Sequence, residues 1–110
     1  MIAALFYIDG WMGHEEYLFK GENPHELLMQ FNNVQDLECL SRMAKNQGTD
    51  EDRKEITVLD ELLSKDHCGK LTLDDLASFS IEISIGKIGV TDVASSEDSI
   101  ELLNSRCNCS

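Results

Sequence analysis

His67 and Cys68 stand side by side, and Cys107 and Cys109 form a Cys-x-Cys close to Ser110. The four could be assembled into a zinc site. Structural zinc sites, however, present paired ligands two to four residues apart on stiff turns. An adjacent His-Cys and a Cys-x-Cys in a fraying segment fit that poorly, and reduced thiols are the expectation for these residues and for Cys39. Cys68 beside His67 is also the one local pairing that could make a thiolate nucleophile, yet sequence neighbours seldom face each other productively and no third orienting group accompanies them. The carboxylate pairs Asp60/Glu61 and Asp74/Asp75 sit in helical and capping contexts, which predicts solvated faces. His14 reads as a loop residue and His25 as part of a helical first turn. There is no phosphate-binding loop, dinucleotide fingerprint or HExxH. The expectation is a protein that is not an enzyme, with no catalytic residue, cofactor or metal.

Ser64–Asp75 (SKDHCGKLTLDD) resembles the calcium loop of an EF-hand in its glycine and the apolar position that follows. In the register set by Gly69, Ser64, Asp66, Cys68 and Asp75 occupy liganding positions. A working loop wants oxygen ligands early and a bidentate Glu last. Here a cysteine stands third and a shorter Asp closes the loop. A capped connection between two helices is the expected structure.

That loop lies inside the stretch that organises the chain, Thr49–Ile85, which holds ten carboxylates against four basic residues. Thr49 followed by Asp52 is a capping-box-like start, with an acid in the first turn against the positive helix end. Ile56, Leu59, Leu62 and Leu63 recur at helical spacing, while Glu55, Asp60 and Glu61 point elsewhere. Gly69 offers a positive-φ stop. Thr72 with Asp75 repeats the cap pattern for a short helical turn through Ala77. From Phe79 the period becomes two, with Phe79, Ile81, Ile83 and Ile85 on one face and Ser80, Glu82 and Ser84 on the other.

Ahead of it, Ile2–Ile8 reads as a strand apolar on both faces and Glu15–Lys20 as a second, with Asp9–His14 as a hairpin connection. Trp11 in that loop either folds back over the core or anchors a partner. Asn23-Pro24-His25-Glu26 is a strong helix start, with Leu27, Leu28, Phe31 and Val34 as its buried stripe. Asn32-Asn33 weakens it, and Asp36 could cap a continuation through Leu37, Leu40, Met43 and Ala44; one bent helix and two short ones both fit. After Ile85, Gly86-Lys87 shifts the apolar phase, as a glycine bulge or a tight turn into another short strand would do. Ser95–Asp98 could cap a last helix with Ile100, Leu102 and Leu103 on its apolar side. The fold expected is α+β, with about three antiparallel strands (Ile2–Ile8, Glu15–Lys20, Phe79–Val90) and two to four helices packed on one face. It forms one acidic domain over residues 1–110, with 105–110 frayed. Whether the third strand pairs with the first is left open.

A net charge of −12 comes from 21 acids against nine Lys and Arg, spread along the chain. Such a surface repels nucleic acid and anionic membrane and attracts basic protein surfaces. No apolar run approaches the roughly 18 residues of a membrane span, and Met1–Ile8 lacks the basic leader of a signal peptide, so a cytoplasmic setting is expected. In size, acidity and want of motifs the chain is similar in kind to phage and plasmid counter-defence inhibitors, the anti-CRISPR and anti-restriction proteins. It is equally similar in kind to immunity proteins that neutralise nuclease toxins. The resemblance is one of size and charge. It implies occupation of the basic surface of a nucleic-acid-binding protein or nuclease, with carboxylates standing in for phosphates. Asp50, Glu51, Glu55, Asp60, Glu61, Asp74 and Asp75 are the candidate contacts, and Trp11, Met12 and Tyr17 the candidate apolar anchors. The alternative is an assembly subunit that dimerises through an edge strand or helix face, its acidity serving solubility.

Overall fold

An uncharged apolar run such as Ile2–Ile8 is suited only to a place with neighbours on every side, and there the chain puts it. In the computed structural model, which describes residues 1–10, 13–67 and 69–106, Ile2–Gly10 (β1) is an inner strand of a four-stranded sheet. Gly13–Gly21 (β2) returns antiparallel beside it. Three helices follow: Pro24–Asn32 (α1), Gln35–Gln47 (α2) and Asp50–Leu62 (α3). A 3-10 turn at Lys65–His67 and the short helix Leu73–Ala77 (α4) lead to Ser80–Ile83 (β3), Gly86–Ala94 (β4) and Glu97–Arg106 (α5). The spatial order is β2-β1-β4-β3, antiparallel throughout.

The α+β class holds, with four strands where about three were expected. The extra strand comes from the phase shift at Gly86-Lys87. It marks a tight turn at Ser84-Ile85 into β4, a nine-residue strand that pairs with β1 along its length, with a register shift between Leu5 and Phe6. Asn33 and Val34 separate α1 from α2, so there are two helices and no single bent one. Val34, not Asp36, is the N-cap of α2, and its side chain makes no capping bond.

Alternation along β1 divides the interior in two. Ala4, Phe6 and Ile8 face the main core, where Leu27, Leu28 and Phe31 of α1, Leu37, Leu40 and Ala44 of α2, Ile56 and Leu59 of α3 and Leu76 of α4 meet Ile81, Ile83 and Ile88 of the sheet. Phe6 stacks on Phe31 at 4.5 Å between centroids, with Phe19 and Phe79 around them. Each fully buried ring or branched side chain here contributes about 1.5–3 kcal/mol. Ala3 and Leu5 face the other way, onto Ala94 and Leu103. α5 therefore covers the opposite face of the sheet, apart from the helices expected on one face. Its Leu103 is buried and Ile100 half-buried, but Leu102 is 67% exposed and does not belong to the apolar side read from the sequence.

Candidate functional site

The caps that position the acidic helices form as their residue types dictate. The Thr49 hydroxyl accepts the Asp52 N–H at 3.1 Å while the Asp52 carboxylate accepts the Thr49 N–H at 3.2 Å. Thr72 and Asp75 repeat the arrangement at 3.1 and 3.0 Å. These bonds from Thr72 hold the Asp75 carboxyl below the usual carboxylate range. Gly69 sits at φ 80°, the left-handed region that its loop requires. In the Ser64–Asp75 loop Asp75 is thus occupied as a cap, and Cys68 lies outside the described residues. Among the described residues, no three His, Cys, Asp or Glu side chains are grouped as metal ligands would be. Cys107 and Cys109 also lie outside them.

Asp52 does more than cap. It is the one carboxylate of the 21 that is buried. Its Oδ1 accepts the Ser84 N–H at 3.0 Å and its Oδ2 the Ser84 hydroxyl, tying the start of α3 to the β3–β4 turn. The Ser84 hydroxyl and amide lead the set of donors that keep its carboxyl low, against the opposing effect of burial. Two-residue hairpin turns are usually built on positive-φ residues. Neither Ser84 nor Ile85 has one, so the turn leans on this external clamp.

The seven candidate acids do not form one uniform patch. Asp50 is bonded to Arg53, Glu51 lies 3.6 Å from Lys54, and Asp60 lies 3.2 Å from Lys45 of α2. Asp75 is the cap just described. Glu55 is half-buried, while Glu61 and Asp74 stand exposed with no Lys or Arg partner. Exposed acids that were not singled out lie on α5, where Glu97, Asp98 and Glu101 flank Leu102. Five of the nine Lys and Arg side chains are committed to carboxylates, Arg42–Glu38 and Arg106–Asp92 being the other two pairs. Most of the carboxylates stay unneutralised. Of the three candidate anchors, Trp11 and Met12 lie outside the described residues. Tyr17 is half-buried, its ring against Phe19 and Phe31 and its hydroxyl donating to Asp36 Oδ2 at 2.8 Å. Burial first, then that carboxylate, hold its phenol well above the ordinary tyrosine range.

Two clefts lie beside the candidate residues. One lined by Ile8, Glu15, Asp36, Cys39 and Leu40 holds about 20 Å³, room for one water-sized group. An open groove of about 340 Å³ runs past Val58, Leu62, Leu71, His67, Lys70 and Asp75. His25 is a buried polar residue that the sequence did not flag; among the described residues its Nε2 has no hydrogen-bond partner.

On the second sheet face, Tyr7 lies across β4: a Cβ on Gly89 would meet its hydroxyl at 2.8 Å and the Phe79 carbonyl at 2.9 Å. The His14 ring stacks beside Tyr7 at 6.1 Å.

No family model matches this chain, and no curated protein or solved structure matches it either. Among the described residues, no helix is long and apolar enough to cross a membrane.

Proposed function

We propose that this is a non-enzymatic acidic binding protein that occupies the basic surface of a nucleic-acid-handling protein, in the manner of a counter-defence inhibitor. The observation that supports this reading is the placement of charge. All carboxylates but Asp52 are exposed or half-buried, and only five meet a Lys or Arg of the chain itself. They are mounted on helices and strands locked by caps and packing, so their spacing is fixed before an encounter, which raises association rate and sets orientation. Glu61, Asp74 and the half-buried Glu55, with no Lys or Arg partner, are the contacts this reading favours within α3 and α4. Asp50, Glu51 and Asp60 must first exchange their own Arg53, Lys54 and Lys45 for those of the target. An immunity protein against a nuclease toxin uses the same surface chemistry and differs only in the target. A cytoplasmic setting follows from either.

The test is competition. The protein is titrated into DNA complexes of an RNA-guided nuclease, a restriction endonuclease and a toxin nuclease domain, at two salt concentrations. Release of DNA from one of them, weakened by raised salt and by Glu61→Lys with Asp74→Lys, is the expected result. No displacement from any of the three, or displacement indifferent to salt and to both reversals, overturns the reading.

A further inference from the structure

The sheet ends in two unequal edges. The Val90 N–H on the Phe79 carbonyl sets which residues of β4 bond to β3, and the alternation carries across the sheet. In β3 it leaves the backbone groups of Ser80, Glu82 and Ser84 facing outward. Asp52 of α3 takes the outward Ser84 N–H, so this edge is short and closed at one end. In β2 the odd-numbered residues bond to β1, and the N–H and C=O of His14, Glu16, Leu18 and Lys20 face outward. The Gln30 side chain donates to the Lys20 carbonyl at 2.8 Å, which confirms that phase and closes that end. His14, Glu16 and Leu18 keep three outward N–H and C=O pairs in line, and among the described residues no element pairs with them.

We infer that this edge of β2 accepts an extended segment of a partner protein that carries adjacent lysine or arginine residues, by addition of a fifth strand. Row-on-row backbone hydrogen bonds give such an addition its affinity, and side chains on the two faces give it specificity. At the middle of the open stretch Glu15 and Glu16 project to opposite faces, both exposed. Adjacent basic residues on the incoming strand would meet one carboxylate each, and opposite charges across a strand pair are favourable where like charges are not. That argues against a second copy as occupant: a two-fold pairing of β2 about Glu16 sets Glu16 against Glu16 between two chains of −12 each. This inference rests on the reading of the protein as a binder of basic partners, and names where the partner's backbone docks.

The probe is a nine-residue threonine/valine peptide with Arg-Lys at its centre, beside a Glu-Glu version and one N-methylated at alternate residues. Amide exchange is followed by NMR. With the Arg-Lys peptide the His14, Glu16 and Leu18 amides should slow at least about tenfold at saturation, while Tyr17 and Phe19, already bonded to β1, stay unchanged. Glu16→Gln should weaken binding up to about fivefold, the ratio set by one cross-strand charge pair. Glu16→Pro removes an N–H that faces away from β1, a position where an edge strand tolerates proline, and should abolish binding. If that variant fails to fold, the N-methylated peptide asks the same question of the unaltered protein. Unchanged amides at millimolar peptide, equal binding of the N-methylated peptide, or a β2-to-β2 dimer in sedimentation overturns strand addition. DNA displacement by Glu16→Pro equal to wild type overturns it while leaving the acidic-inhibitor reading standing; failure of wild type itself to displace DNA removes that reading.

Discussion

Asp52 and Ser84 are 32 residues apart, yet one carboxylate of the first accepts both the amide and the hydroxyl of the second. The contact is the hinge pin between the helical layer and the β3–β4 turn. Asp52→Asn keeps the shape but replaces an acceptor oxygen with a donor. It should lower the urea midpoint without changing the slope, and speed amide exchange at Ile81 and Ile83 while leaving the β1–β2 ladder as it was. Ser84→Ala combined with it should cost less than the two single changes added, since both remove the same bonds.

The same carboxylate gives the fold an acid limit. Asp52 and Asp75 both titrate below their ordinary value of 3.8 in the folded chain. Between the folded values and 3.8 the unfolded chain therefore binds more protons, and stability rises with pH across that interval. The contribution is complete above about pH 5 and lost as pH falls through the folded values. Urea midpoints from pH 7 down to 2 should show a plateau and then a fall, and Asp52→Asn should flatten the fall.

Tyr17 sets a limit at the other extreme. Its folded phenol is held above the ordinary 10.0, so above pH 10 the unfolded chain releases a proton that the native one retains, and stability drops as pH climbs further. Tyr17→Phe should remove the late step from an ultraviolet titration of tyrosine. It should also cost about 1 kcal/mol at neutral pH through loss of the bond to Asp36.

Gly89 has no room for a side chain. Gly89→Ala places a methyl against the Tyr7 hydroxyl and the Phe79 carbonyl, and should destabilise by about 1–3 kcal/mol. Tyr7→Phe in the same chain should restore part of this, because the carbonyl contact remains. Thermal unfolding of the three variants decides it.

His25 points the other way. Its Nε2 is buried and, among the described residues, without a partner. His25→Leu discards that nitrogen while keeping the bulk, and should stabilise by about 1 kcal/mol in denaturant unfolding.

The local rules were readable at the starts of α1, α3 and α4, where the determinant lies within four residues. Asn23, whose side chain accepts the Glu26 N–H at 2.9 Å, and the two Thr–Asp capping boxes stand where their residue types place them. Phe79, Ile81 and Ile83 land on the buried face as written, while Ile85, read as their continuation, falls in the β3–β4 turn and is half-buried. What escaped depends on distant partners. β4 alternates at Ile88 and Val90, as the phase shift announced, but carries Thr91 and Asp92 beyond them; its full length as a strand depends on β1 beside it. Leu102 is turned outward because Leu103 and Ile100 take the surface that β1 and β4 offer α5. Of the candidate contacts, Glu61 and Asp74 are exposed with no Lys or Arg partner; Asp50–Arg53, Glu51–Lys54 and the Asp75 cap are local, each within three residues, whereas the pairing of Asp60 with Lys45 depends on how α3 packs on α2.

Because β1 sits inside the sheet and its inner neighbour is β4, β1 has to wait, as the chain leaves a ribosome, for a strand made well after it. Ala3 finds Ala94 only after β2, four helices and β3 have been made between them. Until then a sticky, uncharged segment is exposed to the cell with only the β1–β2 hairpin to shelter it. The acids spread along the intervening chain are well placed to keep such a half-made molecule from clinging to its neighbours.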